Sequence, residues 1–357
     1  MTTSVYSKEE VDALLKTVND RLNALQSVPP VVPPVDVPPT APSGIVTRVG
    51  NEMMRNGIPW RPKGANAQTL THGDSLLNAE RLFKLFPKGS LFRCFFLANP
   101  RSPMSVSFLQ AVVALAKTHG QYLLIALSNG AYSEANNDPW RDGIKDAAYY
   151  TGGWKAQLIP HFDRVVKPLA GATNIIWQNM NEIGQSGGIG GDNRIAIARE
   201  FQHATCSEIK SRAPNHLVFG GVQDAYAGRF VQNAVEFAAV HNSPAIDGAG
   251  VHEYEAKIPY RQYGVYSRFN DIKREMDSLG KVLIVAEYGV GDGGSSAVTA
   301  AVRADRARQK TVAYRTAGAK CSMIWAVAEP WNRGEPTTGE GAWERVDSPV
   351  LKAIIEA

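Results

Sequence analysis

Two glutamates carry the chemistry this sequence could do. Glu182 ends the run Ile175-Ile176-Trp177-Gln178-Asn179-Met180-Asn181, and Glu287 ends Val282-Leu283-Ile284-Val285-Ala286, 105 residues further on. Both follow apolar runs of the kind that form strands buried on both faces. Further polar groups fall at or near the ends of similar runs: Arg93 in 91–96, His252-Glu253-Tyr254 after 248–251, and Trp325 in 322–326. Two carboxyls facing one another across a cavity can divide a reaction between a general acid/base and a nucleophile, as glycosidic bond cleavage requires. A separation of about 5–5.5 Å gives double displacement with retention; about 6.5–9.5 Å admits a water and gives inversion. A carboxyl acts as an acid near neutrality only if burial or a like charge raises its pKa. Arg93 opposes that shift in whichever glutamate it touches, leaving that one ionised as the nucleophile.

Each signal is weak by itself. A glutamate after a strand is usually a solvated loop residue, a histidine is often a satisfied structural group, and a tryptophan is often core. The weight lies in all of them falling at strand ends, in this order. Loop aromatics add to it: Tyr132, Trp140, Tyr149, Tyr150 and Trp154, then Tyr226, then Tyr260, Tyr263 and Tyr266, then Trp331 and Trp343. Exposed aromatic faces stack on sugar rings, although several of these must serve packing. Trp140 and Trp331 are the expected sugar-stacking pair. An aldolase-type barrel would need a Schiff-base lysine or a phosphate site at the strand ends, and no lysine stands there. The glycine run 187–191, broken by Ile189, lacks a P-loop Lys-Ser/Thr and reads as a loop.

The elements that must position these groups read as eight β/α units. Strand-like runs fall at 62–66, 91–96, 122–127, 174–180, 217–221, 248–252, 282–286 and 322–326. Helical patterns between them include 108–117, 154–169, 195–212, 268–279 and 303–317. Eight alternating units predict an α/β fold, a closed (β/α)8 TIM barrel, over residues 45–357. No G-x-G-x-x-G follows the first strand, which argues against a dinucleotide fold. Ahead of the barrel, 46–49 and 53–60 bracket Asn56-Gly57, a hairpin turn signal, and predict a small ribbon closing the barrel bottom.

Composition divides the 357 residues further. Seven of the 21 prolines lie between Pro29 and Pro42, so residues 28–44 predict an extended polyproline II spacer. Before it, Ser7-Lys8-Glu9-Glu10 forms a capping box. Val11, Leu15, Val18, Leu22 and Leu25 then follow at heptad spacing. Residues 1–27 are therefore expected to form a short coiled coil, with residues 7–27 assembling a homodimer or trimer. The formal charge is +4, and residues 1–44 carry −2, leaving +6 on the barrel. No dense Lys/Arg tract points to nucleic acid. No apolar run approaches the roughly 20 residues of a membrane span. The start has no apolar signal-peptide region, so synthesis in a cytoplasm is expected. The three cysteines, Cys94, Cys206 and Cys321, have no metal or disulfide spacing. No metal or cofactor is expected.

These motifs resemble clan A of the retaining glycoside hydrolases, in the pattern of family 5 cellulases and mannanases. The resemblance rests on 175–182, His252-Glu253-Tyr254, 284–289, Trp325 and the first-strand segment 56–66, and it spans residues 45–357. It implies a polysaccharide substrate, with Glu182 as acid/base and Glu287 as nucleophile. It also implies Asn181 on the sugar 2-hydroxyl, Tyr254 on the nucleophile and His252 beside the acid/base. Arg93 would orient Glu287, and Trp325 would floor the −1 subsite. One position departs: the family's histidine at the end of strand 3 is replaced by Ser128-Asn129-Gly130, so a different contact is implied there, for which His72 is a partial candidate. The coiled-coil head and Pro-rich spacer resemble the arms of bacteriophage tail fibres and tailspikes. That likeness implies an oligomeric virion depolymerase of capsule or exopolysaccharide, with other virion tail proteins as partners. The alternative is a non-catalytic carbohydrate receptor-binding barrel.

Overall fold

The computed structural model describes residues 16, 44–71, 76–99, 104–130, 142–143, 145–184, 189–221, 231–253, 267–290, 299–327, 344 and 348–357. Met1–Ala41 and Pro42–Ala357 are two separate units. Apart from Lys16 and Gly44, the expected coiled coil (1–27) and spacer (28–44) lie outside the described residues.

In the second unit eight parallel strands close into a barrel in chain order. They are β4 (Gly64–Asn66), β5 (Leu91–Phe95), β6 (Tyr122–Ala126), β7 (Ile175–Gln178), β8 (Val218–Gly221), β9 (Gly248–Glu253), β10 (Val282–Tyr288) and β11 (Ser322–Ile324). The helices that follow them in turn are α1 (Leu76–Leu85), α2 (Val106–Thr118), α3 (Trp154–Val165), α4 (Arg194–Arg212), α5 (Ala234–His241), α6 (Ser267–Ser278), α7 (Ala300–Thr316) and α8 (Pro349–Glu356). Ser105, Asn233, Thr299 and Ser348 cap α2, α5, α7 and α8 through their side chains. The barrel is the one the alternation predicts. The period-2 direction of strand side chains sorts the core into two layers: Phe92 and Cys94 of β5 join the outer strand–helix core, while Leu91 joins the inner one. Cys94, Cys206 and Cys321 are all buried and free.

The expected ribbon is a three-stranded meander: β1 (Val46–Val49), β2 (Glu52–Arg55) and β3 (Ile58–Pro59). Asn56 (φ 52°) and Gly57 (φ 77°) form its second turn, the left-handed pair that an Asn-Gly hairpin uses. The first turn, at Gly50-Asn51, lies between the expected segments 46–49 and 53–60 and pairs β1 with β2. Val46, Met53 and Trp60 pack with Leu91, Tyr122 and Val282, the first residues of three barrel strands. Trp60 also donates to the Gly89 carbonyl at 3.0 Å. The ribbon therefore plugs the end of the barrel where the strands begin.

Three buried histidines lock outer parts of the fold in the neutral form. His161 meets the Phe96 carbonyl at 2.8 Å and Arg164 at 3.2 Å. His216 accepts from Trp177 at 2.8 Å and faces the Ala172 carbonyl at 2.6 Å. His241 faces the Phe237 carbonyl at 2.7 Å and Gln202 at 3.2 Å. A ring with one carbonyl and one donor as partners is satisfied as a neutral imidazole, one nitrogen giving and the other accepting. Burial pulls their pKa values down, to about 3 for His161 and about 4 for His216 and His241. Between pH 6.5 and 4 the unfolded chain takes up protons that the folded chain refuses, so stability falls with pH across that window, by at most about 1.4 kcal/mol per pH unit for each group. The urea midpoint is expected to drop between pH 6.5 and 4; an unchanged midpoint would refute these neutral assignments.

Candidate active site

The polar groups gather at the other end of the barrel, around one guanidinium. Arg93 on β5 is fully buried. It donates to Glu287 Oε1 at 2.6 Å and Asn66 Oδ1 at 3.0 Å through Nη1, to Gln178 Oε1 at 2.8 Å through Nε, and to Asn181 Oδ1 at 2.5 Å through Nη2. Its carbon end sits 4.8 Å from the centroid of the Phe95 ring. Asn66 is fixed from the far side by donation to the Ala286 carbonyl at 2.7 Å. A buried charge needs this density of partners. Arg93 thus ties β4, β5, β7 and β10 together at the level of the glutamates.

Glu287 lies inside β10, one strand from His252 on β9. His252 bridges the two carboxylates. Its Nδ1 is 2.8 Å from Glu182 Oε1 and its Nε2 is 3.4 Å from Glu287 Oε1. One ligand atom from each of Glu182, His252 and Glu287 lies within 4.8 Å of the others. Burial pulls the His252 pKa down to about 4, with the Glu287 charge opposing and Arg93 reinforcing. At neutral pH the bridge is therefore a neutral imidazole with one proton to give. These donors also match a cation site, but Glu287 already takes a guanidinium at 2.6 Å, which would repel a second cation.

Glu182 is held by its backbone. Its φ is +46°, a left-handed conformation that costs a non-glycine residue about 1–2 kcal/mol. The flanking bonds hold it there. Asn181 N donates to the Ser128 carbonyl at 2.8 Å, Gly130 N to the Asn181 carbonyl at 2.7 Å, Ile183 N to the Gly221 carbonyl at 3.2 Å, and Gly184 N to the Tyr150 hydroxyl at 3.1 Å. Both strand neighbours approach so closely that only glycine fits. A Cβ on Gly130 would stand 2.5 Å from the Glu182 carbonyl oxygen, and one on Gly221 would stand 1.5 Å from that of Met180.

The structure thus brings Glu182, Glu287, Arg93, Asn181 and His252 into one cluster. Trp325 follows β11, is half-buried, and meets Phe95 edge-on at 6.1 Å. Tyr254, Trp140, Trp331 and His72 lie outside the described residues. Three of the loop aromatics turn inward: Tyr149, Tyr150 and Trp154 are buried against Phe201. They are packing residues because α3 begins at Trp154 and lays this stretch on α4. Asn66, Gln178 and Gly221 escaped the sequence reading of the site, whereas Asn129 and Gly130 fall where it implied a different contact. The signal available for Gln178 was a polar side chain inside an otherwise apolar strand run.

No protein-family model and no curated protein matches the sequence. Solved structures do match the fold. An endo-1,4-β-mannanase from Rhizomucor miehei superposes with a TM-score of 0.67 at 16% identity, over 87% of this chain and 97% of that one. A glycoside hydrolase family 5 mannosidase from the same organism gives 0.61 at 13%, over 88% and 96%. A cellulase gives 0.57 at 16%, over 84% and 86%. The chain therefore has the (β/α)8 fold of these proteins.

Arg93→Met is expected to lower the unfolding free energy by about 3–5 kcal/mol, since it strands a buried carboxylate and three amide oxygens. Urea unfolding measures it; a loss under about 1 kcal/mol would show that the guanidinium does not organise the site.

Proposed function

We propose that the barrel is a retaining glycoside hydrolase that cleaves a polysaccharide by double displacement. One observation carries this reading: two carboxylates at the strand ends with oxygens within 4.8 Å of each other. Glu287 is salt-bridged to the buried Arg93. That spacing suits direct attack on the sugar rather than attack through an intervening water. Glu287 is the nucleophile. Glu182 protonates the leaving oxygen and then deprotonates the water that releases the glycosyl-enzyme. The solved structures of this fold include mannanases, a mannosidase and a cellulase, which favours a β-linked substrate.

His252 couples the two halves of the cycle. With its proton on Nε2, the ring donates toward the Glu287 carboxylate and Nδ1 accepts a hydrogen bond from protonated Glu182, which keeps its proton for the leaving oxygen, the state that starts glycosylation. Once Glu287 is esterified, the tautomer with the proton on Nδ1 donates to the ionised Glu182. Asn181, held by Arg93 and Asn129, offers its amide to the sugar 2-hydroxyl, a contact that strengthens in the transition state. Tyr254 on the nucleophile, Trp325 under the −1 sugar, and Trp140 and Trp331 in outer subsites complete the reading.

The N-terminal unit fits an oligomerising arm, so that several barrels are presented together to a repetitive capsule or exopolysaccharide, as on a phage tail. Its support is the heptad spacing and the proline spacer.

Glu287→Gln is expected to abolish reducing-end release from a panel of mannan, glucan, galactan and bacterial capsular polysaccharides. Equal release from both proteins would overturn the nucleophile assignment, and binding without release by the wild type would establish the receptor reading. With a dinitrophenyl glycoside, whose departure needs no acid, Glu182→Ala is expected to regain turnover in azide, giving a glycosyl azide of retained configuration. Absence of rescue would refute its acid/base role. In sedimentation, residues 1–357 are expected to be oligomeric and 45–357 monomeric; a monomer in both cases would overturn the arm.

A further inference from the structure

The end of β6, where the resemblance calls for a histidine, carries Ser128 and Asn129 instead. Beneath them lies an ion pair with both side chains fully buried: Asp142 and Lys145, on the segment between β6 and α3. Asp142 accepts from Ser128 Oγ at 2.6 Å and from the Asn129 amide at 3.3 Å, and it holds Lys145 Nζ at 3.2 Å. Lys145 also reaches the Asp142 and Gly143 carbonyls and Gln157 Oε1, each at 3.3 Å, and it sits 4.5 Å from the centre of the Tyr149 ring. On the other side, Asn129 Oδ1 accepts from Asn181 Nδ2 at 3.1 Å, and Asn181 Oδ1 accepts from Arg93. A continuous run of hydrogen bonds and ion pairs links Lys145 to Asp142, Asn129, Asn181, Arg93 and Glu287.

A buried ion pair is a poor device for stability alone, because desolvation offsets most of its attraction and apolar side chains fill the same space as well. Its value lies in direction. The Asp142 carboxylate has two faces, one taken by the ammonium and one by Ser128 and Asn129, so the end of β6 is held at a fixed angle. That angle sets where the Asn129 side chain meets Asn181. We propose that Asp142, charge-paired with Lys145, is a positioning residue for Asn181. It touches neither substrate nor the glutamates and acts through Asn129. The kinetic part of this proposal rests on the glycosidase reading; the structural part does not.

The test uses the full chain and dinitrophenyl β-mannobioside and β-cellobioside as probes. Asp142→Asn keeps the shape and removes the charge. It is expected to lower kcat about tenfold with KM changed less than about twofold, as loss of an outer partner of a working residue does. In an Asn181→Ala background the same substitution is expected to change kcat by less than about twofold, since its route of action is gone. Lys145→Met, the second variant should Asp142→Asn fold poorly, is expected to follow the same pattern. Losses that multiply in the double variant, or a lowered Tm with unchanged kcat, would overturn the proposal. A crystal structure of Asp142→Asn separates this from the reading it rests on. An Asn181 side chain turned from Asn129 supports the positioning role even if neither probe is hydrolysed, and an unmoved one refutes it even if both are.

Discussion

A guanidinium inside a barrel has to be answered on every side. Arg93 is fully buried, and the cost of leaving any of its donors unpaired is a kilocalorie or more each. Its four hydrogen bonds reach three other strands and recruit Asn66, Gln178, Asn181 and Glu287. The apolar inner layer below, with Leu124, Ile176, Phe219 and Ile284, keeps water from supplying cheaper partners. Glu287 is thus placed as the counter-ion the arginine requires, and its position follows from barrel closure rather than from a loop.

Glu182 is placed by different means. Its neighbours on β6 and β8 crowd the backbone, and the chain answers with glycine on both sides and a left-handed residue between them. One carboxylate is held by charge and the other by backbone geometry, and His252 spans the gap. The two therefore differ in surroundings although they are the same residue type. Such a difference is what separates acid from nucleophile in a pair of like groups.

The barrel was legible because most of its strands are apolar runs and most of its helices carry a clear pattern. Strand and helix order then follow from chain order. The glutamates were legible because they terminate such runs. What the sequence concealed is cross-barrel contact. Nothing local to Gln178 or Asn66 says that both will meet Arg93, since the partners lie 85 and 27 residues away. Tyr149, Tyr150 and Trp154 look like cleft aromatics in sequence and turn out to be core, because an aromatic's facing depends on the helix that follows it. The Gly50-Asn51 turn falls in the gap between segments 46–49 and 53–60, where the sequence marked as a hairpin only the Asn-Gly pair six residues on.

The plugging ribbon has an architectural consequence. Gly44, whose carbonyl accepts from Tyr122 at 2.9 Å, leads into the sealed end of the barrel. Ile355, whose carbonyl takes the Lys63 ammonium, belongs to the same end. The mouth with the two glutamates lies at the opposite pole. Gly44 and the last helix α8 thus meet the barrel at the end opposite the two glutamates. The loops around the opening can therefore diversify without disturbing the packing of the sealed end.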